Sequence, residues 1–282
     1  MANNIALFKQ YVPLLDEALK VASLTSILDG AADLAKAGAN ANEIVIPKLS
    51  MDGLADYDKV NGYANGDVSL TYETVSCEFD RGRMFNIDAV DDAESAGLLY
   101  ANVAGEFVRT QVAPELDAYR LAKYASTEGI GAAAADLTTG KQAVEALRKA
   151  LSEMDDAEVP ADNRVLFITS TLKGMIDDMD TTASRKVMEG FSEVIKVPQS
   201  RFCTGITQTA NGYTKAADAK NLNFLIVQKG APIQFQKHVA PKVITPEQNQ
   251  TADGWKFGYR NVGIADVYEN KVKGIYAHSA TV

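Results

Sequence analysis

The stretch Glu43–Val90, EIVIPKLSMDGLADYDKVNGYANGDVSLTYETVSCEFDRGRMFNIDAV, decides the fold of this chain. It carries no helical period, and loops longer than about 12–15 residues are uncommon inside a compact domain. Asn61-Gly62 and Asn65-Gly66 are dipeptides that suit hairpin turns with positive φ. The stretch therefore predicts an extended β-hairpin loop over residues 44–90 that projects from the rest of the chain.

Apolar residues alternate along this loop, but their parity changes partway. Val68, Leu70 and Tyr72 point to one face of a strand, whereas Val75 and Phe79 point to the other. A strand has a period of two, so the change moves the apolar side chains to the opposite face. Because such a loop cannot bury both faces on its own body, we expect it to rest on neighbouring copies of the chain.

Four parts of the sequence carry a family resemblance when they are taken in order. They are Tyr11–Gly30 (YVPLLDEALKVASLTSILDG), 38–47 (GANANEIVIP), Asp80–Asp88 (DRGRMFNID) with 104–119 (AGEFVRTQVAPELDAY), and Trp255–His278 (WKFGYRNVGIADVYENKVKGIYAH). Together they resemble the major capsid proteins of tailed bacteriophages, which have the Hong Kong 97-like fold. The likeness is to shells of long-tailed phages and prophages of Gram-positive bacteria, and it extends over nearly the whole chain.

The resemblance implies an α+β capsid fold with four parts. These are an amino-terminal arm (1–43), the extended loop (44–90), a peripheral domain with a long spine helix (91–128 and 233–282), and an axial α/β domain (129–232). The residues themselves predict the spine helix over about 92–125, with a kink or restart at Pro114, which lacks a backbone donor.

Periodic patterns predict the other elements. In the arm, an apolar helical stripe that ends at Gly30 is formed by Leu15, Leu19, Leu24, Ile27 and Leu28. Strands are predicted over 165–168, 194–197, 224–227, 233–243 and 255–276, the last two beside the spine helix. Thr139 and Gln142 fit a capping box, and Ser170 is placed to cap the next helix. The Gly- and Ala-rich residues 129–140 are interpreted as a linker.

Composition and charge exclude several classes of protein. The chain has 282 residues, is 46% hydrophobic and carries a formal charge of −9, with scattered basic residues. An acidic protein without a basic cluster is repelled by nucleic acid, so it fits a container for DNA better than a DNA-binding protein. We find neither a signal peptide nor a membrane-length apolar run. Cys77 and Cys203 are expected as buried thiols, although a disulfide between them stays open.

Motifs for cofactor chemistry are weak. Residues 129–134 fit a dinucleotide-binding pattern but follow a predicted helix instead of a strand, which removes the phosphate-cradling geometry. Gly140-Lys141 lacks the flanking residues of a nucleotide-binding P-loop. His238 and His278 have no second histidine at ligand spacing, and neither cysteine has a cysteine close in sequence. We therefore predict no catalytic, cofactor-binding or metal-binding residue.

Acidic clusters are the remaining candidates for a cation site. They are Asp52, Asp56 and Asp58; Asp88, Asp91 and Asp92; and Asp177, Asp178 and Asp180. None has the spacing of a calcium loop, and the second cluster fits the favourable first turn of the spine helix.

The resemblance also brings one covalent possibility, since some shells of this fold join a loop lysine to an asparagine of a neighbouring subunit. Here the loop offers Lys48 and Lys59, and the closing strands offer Asn261 and Asn270. No motif matches this chemistry residue by residue, so solvated side chains are expected.

Contacts between subunits are predicted on the arm and the loop. The candidates are Leu15, Leu19, Val68, Leu70, Tyr72, Arg81 and Arg83. Arginine forms bidentate pairs with carboxylates, and the two arginines can pair within the chain or across subunits.

The resemblance implies a major capsid protein that forms hexamers and pentamers of an icosahedral head around double-stranded DNA, assembled in the cytoplasm of a bacterial host. A portal, a decoration protein and a separate scaffolding protein are the implied partners. Arm-like sequence begins close to Met1, which implies either a separate scaffolding protein or a form already processed, and the starting Met1 favours the first. Two alternatives stay open: an encapsulin-like nanocompartment shell, and a soluble α+β enzyme.

Overall fold

The computed structural model describes residues 23–30, 36–37, 43–57, 59–60, 62–63, 65–89 and 105–281. The strands are β1 Lys36–Ala37, β2 Glu43–Met51, β3 Val68–Ser76, β4 Phe79–Asp88, β5 Gly131–Ala134, β6 Arg164–Thr169, β7 Glu193–Val197, β8 Ile206–Thr209, β9 Gly212–Lys215, β10 Leu222–Gln228, β11 Pro232–Ile244, β12 Gly254–Val267 and β13 Ile275–Ser279. The α-helices are α1 Ala113–Ser126, α2 Gly140–Asp156, α3 Ser170–Asp177 and α4 Thr182–Glu189. A π-helix spans Val108–Val112, and 3-10 helices span Ser26–Leu28, Gln199–Arg201, Pro246–Gln248 and Glu269–Gly274.

The largest sheet has the strand order β5-β13-β10-β6-β7 and is apolar on both faces. All six residues of β6 are buried, which suits a continuous apolar run in a central strand. Val165 and Phe167 belong to one apolar cluster, shared with α1, and Leu166 and Ile168 belong to another, shared with α2, α3 and α4. Alternate side chains of each strand thus point to opposite faces of the sheet, and each face packs in its own apolar core.

Threonine side chains cap the first turns of the helices around this sheet. Thr139 and Gln142 form the predicted capping box at the start of α2. At α3 the predicted cap was wrong by one residue: the Thr169 hydroxyl accepts the Leu172 N–H, and Ser170 is already inside the helix. Both residues are capping types, so sequence alone ranks them equally.

The interpretation of 129–140 as a linker was wrong in its middle. Gly131–Ala134 forms β5, a parallel edge strand on β13. Small residues are required there, because a Cβ on Gly131 would lie 2.4 Å from the Tyr276 ring. The same small residues give the strand no apolar period by which to predict it.

A second sheet, β11-β12-β4, packs on the helical segment that contains Pro114. Phe257 and Tyr259 of β12 contact Val108 of the π-helix and Leu116 of α1. Pro114 lies in the first turn of α1, where the π-helix gives way to α-helix, so the predicted restart occurs at this junction. The predicted helical residues 92–104 lie outside the described residues.

The end of the chain differs from expectation. β12 pairs with β4 beside the helical segment as predicted, but 275–279 cross to the first sheet and insert between β5 and β10. The predicted range 255–276 merged two strands because both are apolar. The domain boundaries stay predictions.

The arm also differs where it is described. Within residues 23–30, Ser26–Leu28 forms a 3-10 helix instead of the predicted α-helix, and Leu28 is buried in the core. Leu15 and Leu19 lie outside the described residues.

Candidate assembly surfaces

The extended loop forms an antiparallel hairpin, and we call β2, β3 and their connection, residues 43–76, the tongue. The register runs from Glu43 opposite Ser76 to Met51 opposite Val68. Opposite residues share a face of the hairpin. Leu49 and Leu70 are therefore on the same face as Met51 and Val68, and all four side chains are exposed, Val68 to 70%.

The tip of the tongue, residues 52–67, is closed by Asp52 and Asp67. The Asp52 carboxylate accepts the Asp67 N–H at 2.9 Å, and the Asp52 N–H donates to the Asp67 carbonyl oxygen at 3.1 Å. Tyr57 and Tyr63 meet edge to face with ring centroids 5.0 Å apart. Both stay exposed, Tyr63 to 89%.

The base of the tongue is buried on the other face. Val75 is only 5% exposed and packs with Ile233 of β11 and Ile264 of β12. The change of parity between Tyr72 and Val75 thus marks the place where the hairpin leaves the body of the chain.

Exposed apolar side chains are concentrated in this region. Among the described residues, the exposed large apolar side chains all lie between Leu49 and Met84: Leu49, Met51, Leu54, Tyr57, Val60, Tyr63, Val68, Leu70, Tyr72 and Met84. Contiguous apolar patches are rare on monomeric soluble proteins and mark interaction sites. The tongue is the leading candidate for such a site.

Arg81 and Arg83 have partners within the chain. Arg81 pairs with Glu115 of α1 at 2.7 Å and donates to the Thr209 carbonyl oxygen at 2.7 Å. Arg83 donates to the Ala210 carbonyl oxygen at 2.7 Å. The two arginines of β4 therefore hold the β8–β9 hairpin against the second sheet, and their contact with another subunit stays a prediction.

A buried polar junction joins the arm to the helix α1. Asp117 is fully buried and accepts hydrogen bonds from the Ser23 hydroxyl at 2.7 Å, the Leu24 N–H at 2.9 Å and the Thr25 hydroxyl at 2.8 Å. Arg201 lies 3.5 Å from the same carboxylate. The Leu24 and Thr25 N–H groups both donate to this side chain, which favours a turn over α-helix at these residues.

The junction continues through Gln234 of β11. Its amide nitrogen donates to the Thr25 carbonyl oxygen at 2.7 Å, and its oxygen accepts the Tyr124 hydroxyl at 2.8 Å. Arg120, also buried, donates to the Thr25 hydroxyl at 3.0 Å and lies 3.5 Å from Asp29. Burial raises the pKa of the Tyr124 hydroxyl well above its usual value.

Sequence reasoning missed this junction. Its one local signal is the pair of polar residues Asp117 and Arg120 in an otherwise apolar helical stripe, which is unusual for a buried helix face. Their partners in the arm lie more than ninety positions away in sequence, 94 positions for Ser23 and Asp117, which is too far for any periodic pattern to identify.

Cys77 and Cys203 are not joined in a disulfide. Cys203 is buried and donates to the Gly205 carbonyl oxygen at 3.2 Å, and burial raises the pKa of its thiol. Cys77 is half-buried.

His278 is an interior side chain of β13. It stacks on Phe224 with ring centroids 4.8 Å apart and lies 3.0 Å from the Asn223 amide nitrogen. Burial, and then the charge of Lys149, lowers the pKa of His278. The side chain of His238 is outside the described part of the chain.

No group of three or more metal-ligating side chains occurs within the described residues. Across the same residues, no helix is long and apolar enough to cross a membrane. Of the two asparagines considered for a crosslink, Asn270 is exposed and Asn261 is fully buried, which closes Asn261 to an approaching lysine in this conformation.

Comparison with solved structures identifies the fold. The capsid of the cyanophage P-SCSP1u superposes with a TM-score of 0.60 at 12% identity, covering 86% of this chain and 85% of that one. The mature capsid of bacteriophage PhiM1 gives a TM-score of 0.60 at 11% identity, with 85% and 82% coverage. The virus-like particle from Pyrococcus furiosus gives a TM-score of 0.55 at 12% identity, with 94% and 95% coverage.

By sequence, no protein-family profile and no curated protein matches the chain. The similarity therefore lies in the tertiary structure. It confirms the predicted α+β fold, the Hong Kong 97-like fold of phage capsids.

Proposed function

We propose that this chain is a major capsid protein that self-assembles into hexamers and pentamers of an icosahedral phage head. The single observation that carries the proposal is the tongue, which leaves one apolar face and an apolar tip exposed on a chain with a capsid fold. Exposed apolar patches mark interaction sites, and a shell subunit buries such a surface against its neighbours.

The energetics suit a shell. A protein interface of standard size buries about 1,600 Å² and is not by itself tight. Each subunit of a closed shell makes several such contacts, so multivalency stabilises the whole particle while single contacts stay reversible. Misplaced subunits can then leave during assembly.

The charge suits an enclosed genome. A net charge of −9 keeps the subunit from gripping nucleic acid, so packaged double-stranded DNA would stay mobile and would be held without sequence-specific binding. In this role the chain is structural and not catalytic, and it belongs to the virion after assembly in the bacterial cytoplasm. Its partners would be copies of itself, a scaffolding protein, a portal and a decoration protein.

A second candidate is a shell that encloses another cargo, as in a bacterial nanocompartment. The similarity to the virus-like particle from Pyrococcus furiosus, which spans nearly all of both chains, supports keeping it. The two candidates differ in contents: purified particles from the native source would hold DNA in the first and protein in the second.

The test is assembly of the purified full chain, followed by negative-stain microscopy and sedimentation velocity. We expect closed shells or capsomers from the wild type and smaller species from the double variant Leu49→Ser, Leu70→Ser. The matched control is Ser69→Thr, on the opposite face of the same strand, which should assemble normally. A uniform monomer from the wild type under all assembly conditions would refute the proposal.

A further inference from the structure

The chain contains three Asn-Gly dipeptides, and the structure places them in different surroundings. Asn65 and Asn211 are within the described residues, whereas Asn61 is outside them. Asparagine is one of the thermolabile residues of proteins. It reacts most readily before glycine, because the following peptide nitrogen is then not shielded by a Cβ. How the fold holds each dipeptide decides whether it reacts.

Asn65 and Gly66 lie unrestrained in the tip of the tongue, and both residues are exposed. Among the described residues, neither the Asn65 side chain nor the Gly66 N–H takes part in a hydrogen bond. The Asn65 side chain can therefore turn onto the Gly66 nitrogen without breaking a hydrogen bond.

Asn211 and Gly212 are held in place at the turn of the β8–β9 hairpin. Arg83 Nη1 donates to Asn211 Oδ1 at 3.0 Å, which fixes the orientation of the side-chain amide. Gly212 lies in β9 opposite Thr209, and its carbonyl oxygen accepts the Thr209 hydroxyl at 3.0 Å. The same oxygen accepts from Arg81 at 3.2 Å. Attack on the Asn211 side chain by the Gly212 nitrogen would require these contacts to break.

The reaction open to Asn65 needs only the chain and water. The Gly66 nitrogen attacks the side-chain carbonyl carbon of Asn65 and loses its proton to solvent, and the amide nitrogen takes up a proton and leaves as ammonia. The product is a five-membered succinimide ring that contains the Gly66 nitrogen. Water then adds to one of the two ring carbonyls and breaks one C–N bond, which yields aspartate or isoaspartate and releases a proton.

We propose that Asn65 is a site of spontaneous deamidation in the unassembled subunit and that Asn211 is protected by its contacts. The two dipeptides have the same sequence, so the difference between them comes from the tertiary structure. The proposal concerns the subunit before assembly, when the tip of the tongue is exposed to solvent.

Conversion of Asn65 changes the tip in two ways. It adds a carboxylate to a hollow that Asp52 and Asp56 already line, where like charges repel. Isoaspartate also lengthens the main chain by a methylene close to Asp67, whose N–H and carbonyl oxygen close the tip on Asp52. The consequence for assembly rests on the proposed function: subunits with an altered tip should be kept out of the shell.

Peptide mapping of the full chain tests the modification site. Freshly purified, unassembled subunits are incubated in heavy-oxygen water, digested with trypsin and analysed by mass spectrometry, with fragmentation to separate Asn61 from Asn65. Tryptic peptides 60–81 and 202–215 carry the dipeptides of the tongue and of the β8–β9 turn. We expect oxygen incorporation at Asn65 to be several-fold faster than at Asn211. In urea, where the contacts of Asn211 are lost, the two rates should become equal.

Gly66→Ala is the matched control variant. The added Cβ would lie 3.6 Å from Asp52 Cβ, an ordinary contact, so the variant should fold as the wild type does. The same Cβ shields the attacking nitrogen, so conversion of Asn65 should slow several-fold while that of Asn211 stays unchanged. Equal rates at Asn65 and Asn211 in the folded chain, or no conversion at Asn65, would overturn the proposal.

Assembly of aged subunits tests the consequence separately. We expect particles formed from an aged wild-type sample to be depleted several-fold in converted Asn65 relative to the subunits left in solution. Equal proportions in both fractions would overturn the effect on assembly and leave the modification site standing. Failure of fresh subunits to form any particle would overturn the shell proposal, while the rates measured on unassembled subunits would still decide the modification site.

Discussion

Asp117 is the single side chain whose loss should most weaken the attachment of the arm. In the variant Asp117→Ala, the hydroxyls of Ser23 and Thr25 and two backbone N–H groups lose their acceptor. Arg201, which lies 3.5 Å from the same carboxylate, also loses its charge partner.

The magnitude follows from the burial of the junction. Removing one member of a buried charge network costs about 3–5 kcal/mol, because the groups left behind stay desolvated. Each lost hydrogen bond to a charged group is worth about 1.5–3 kcal/mol, but the bonds share one carboxylate and their energies do not add. We therefore expect Asp117→Ala to lower the free energy of unfolding by about 3–5 kcal/mol.

Urea unfolding of the unassembled subunit, followed by circular dichroism, measures this change. Glu106→Ala is the matched control: Glu106 lies in the same helical segment and pairs with Arg109 at 2.7 Å, with both side chains largely exposed. An exposed pair at this spacing is worth under about 1 kcal/mol. Limited trypsin digestion at Lys36 should also become faster in Asp117→Ala than in the control.

The reasoning would be refuted if Asp117→Ala cost less than about 1 kcal/mol, or no more than Glu106→Ala. A small cost would mean that water replaces the carboxylate and that the junction does not hold the arm.

Three further predictions concern the first sheet and the thiols. Gly131→Val should lower the free energy of unfolding of the subunit by about 1–3 kcal/mol through overpacking against Tyr276, as measured by urea unfolding. In the Tyr276→Ala background, where the ring is absent, adding Gly131→Val should cost nothing further. Because the pKa of His278 is lowered in the fold, protonation of this residue favours the unfolded chain. The free energy of unfolding of the wild type should therefore fall relative to that of His278→Asn as pH decreases below about 6.5. A constant difference between the two proteins from pH 8 to 5 would contradict this. Iodoacetamide at pH 8 should modify half-buried Cys77 before Cys203, whose thiol is buried and has a raised pKa; equal rates in peptide mapping would contradict it.

The sequence alone predicted those features that repeat over short distances. The hairpin, its change of parity before Val75, and strands β6, β7 and β10 follow from a period of two and from local turn residues. The capping box at Thr139 follows from two residues three positions apart. Such features can be identified from residues that are close together in the sequence.

Pairing partners were decided by the tertiary structure. The sequence does not place β13 between β5 and β10, because both sheets accept an apolar strand of the same length. β5 itself was missed, since Gly131 lies close to the Tyr276 ring and the alanines that follow it give no apolar period. Local propensity yields to packing wherever a neighbour restricts the side chain.

The candidate assembly surfaces also include one part that the sequence predicted and one part that it did not. An apolar surface that leaves the body of the chain was determined by the sequence of the tongue, because alternation fixes which side chains share a face. The polar junction at Asp117 arose only in three dimensions, since its groups come from strand, helix and arm that lie far apart in sequence. Hydrogen bonding and burial depend on which segments meet, and that is settled only when the whole chain has folded.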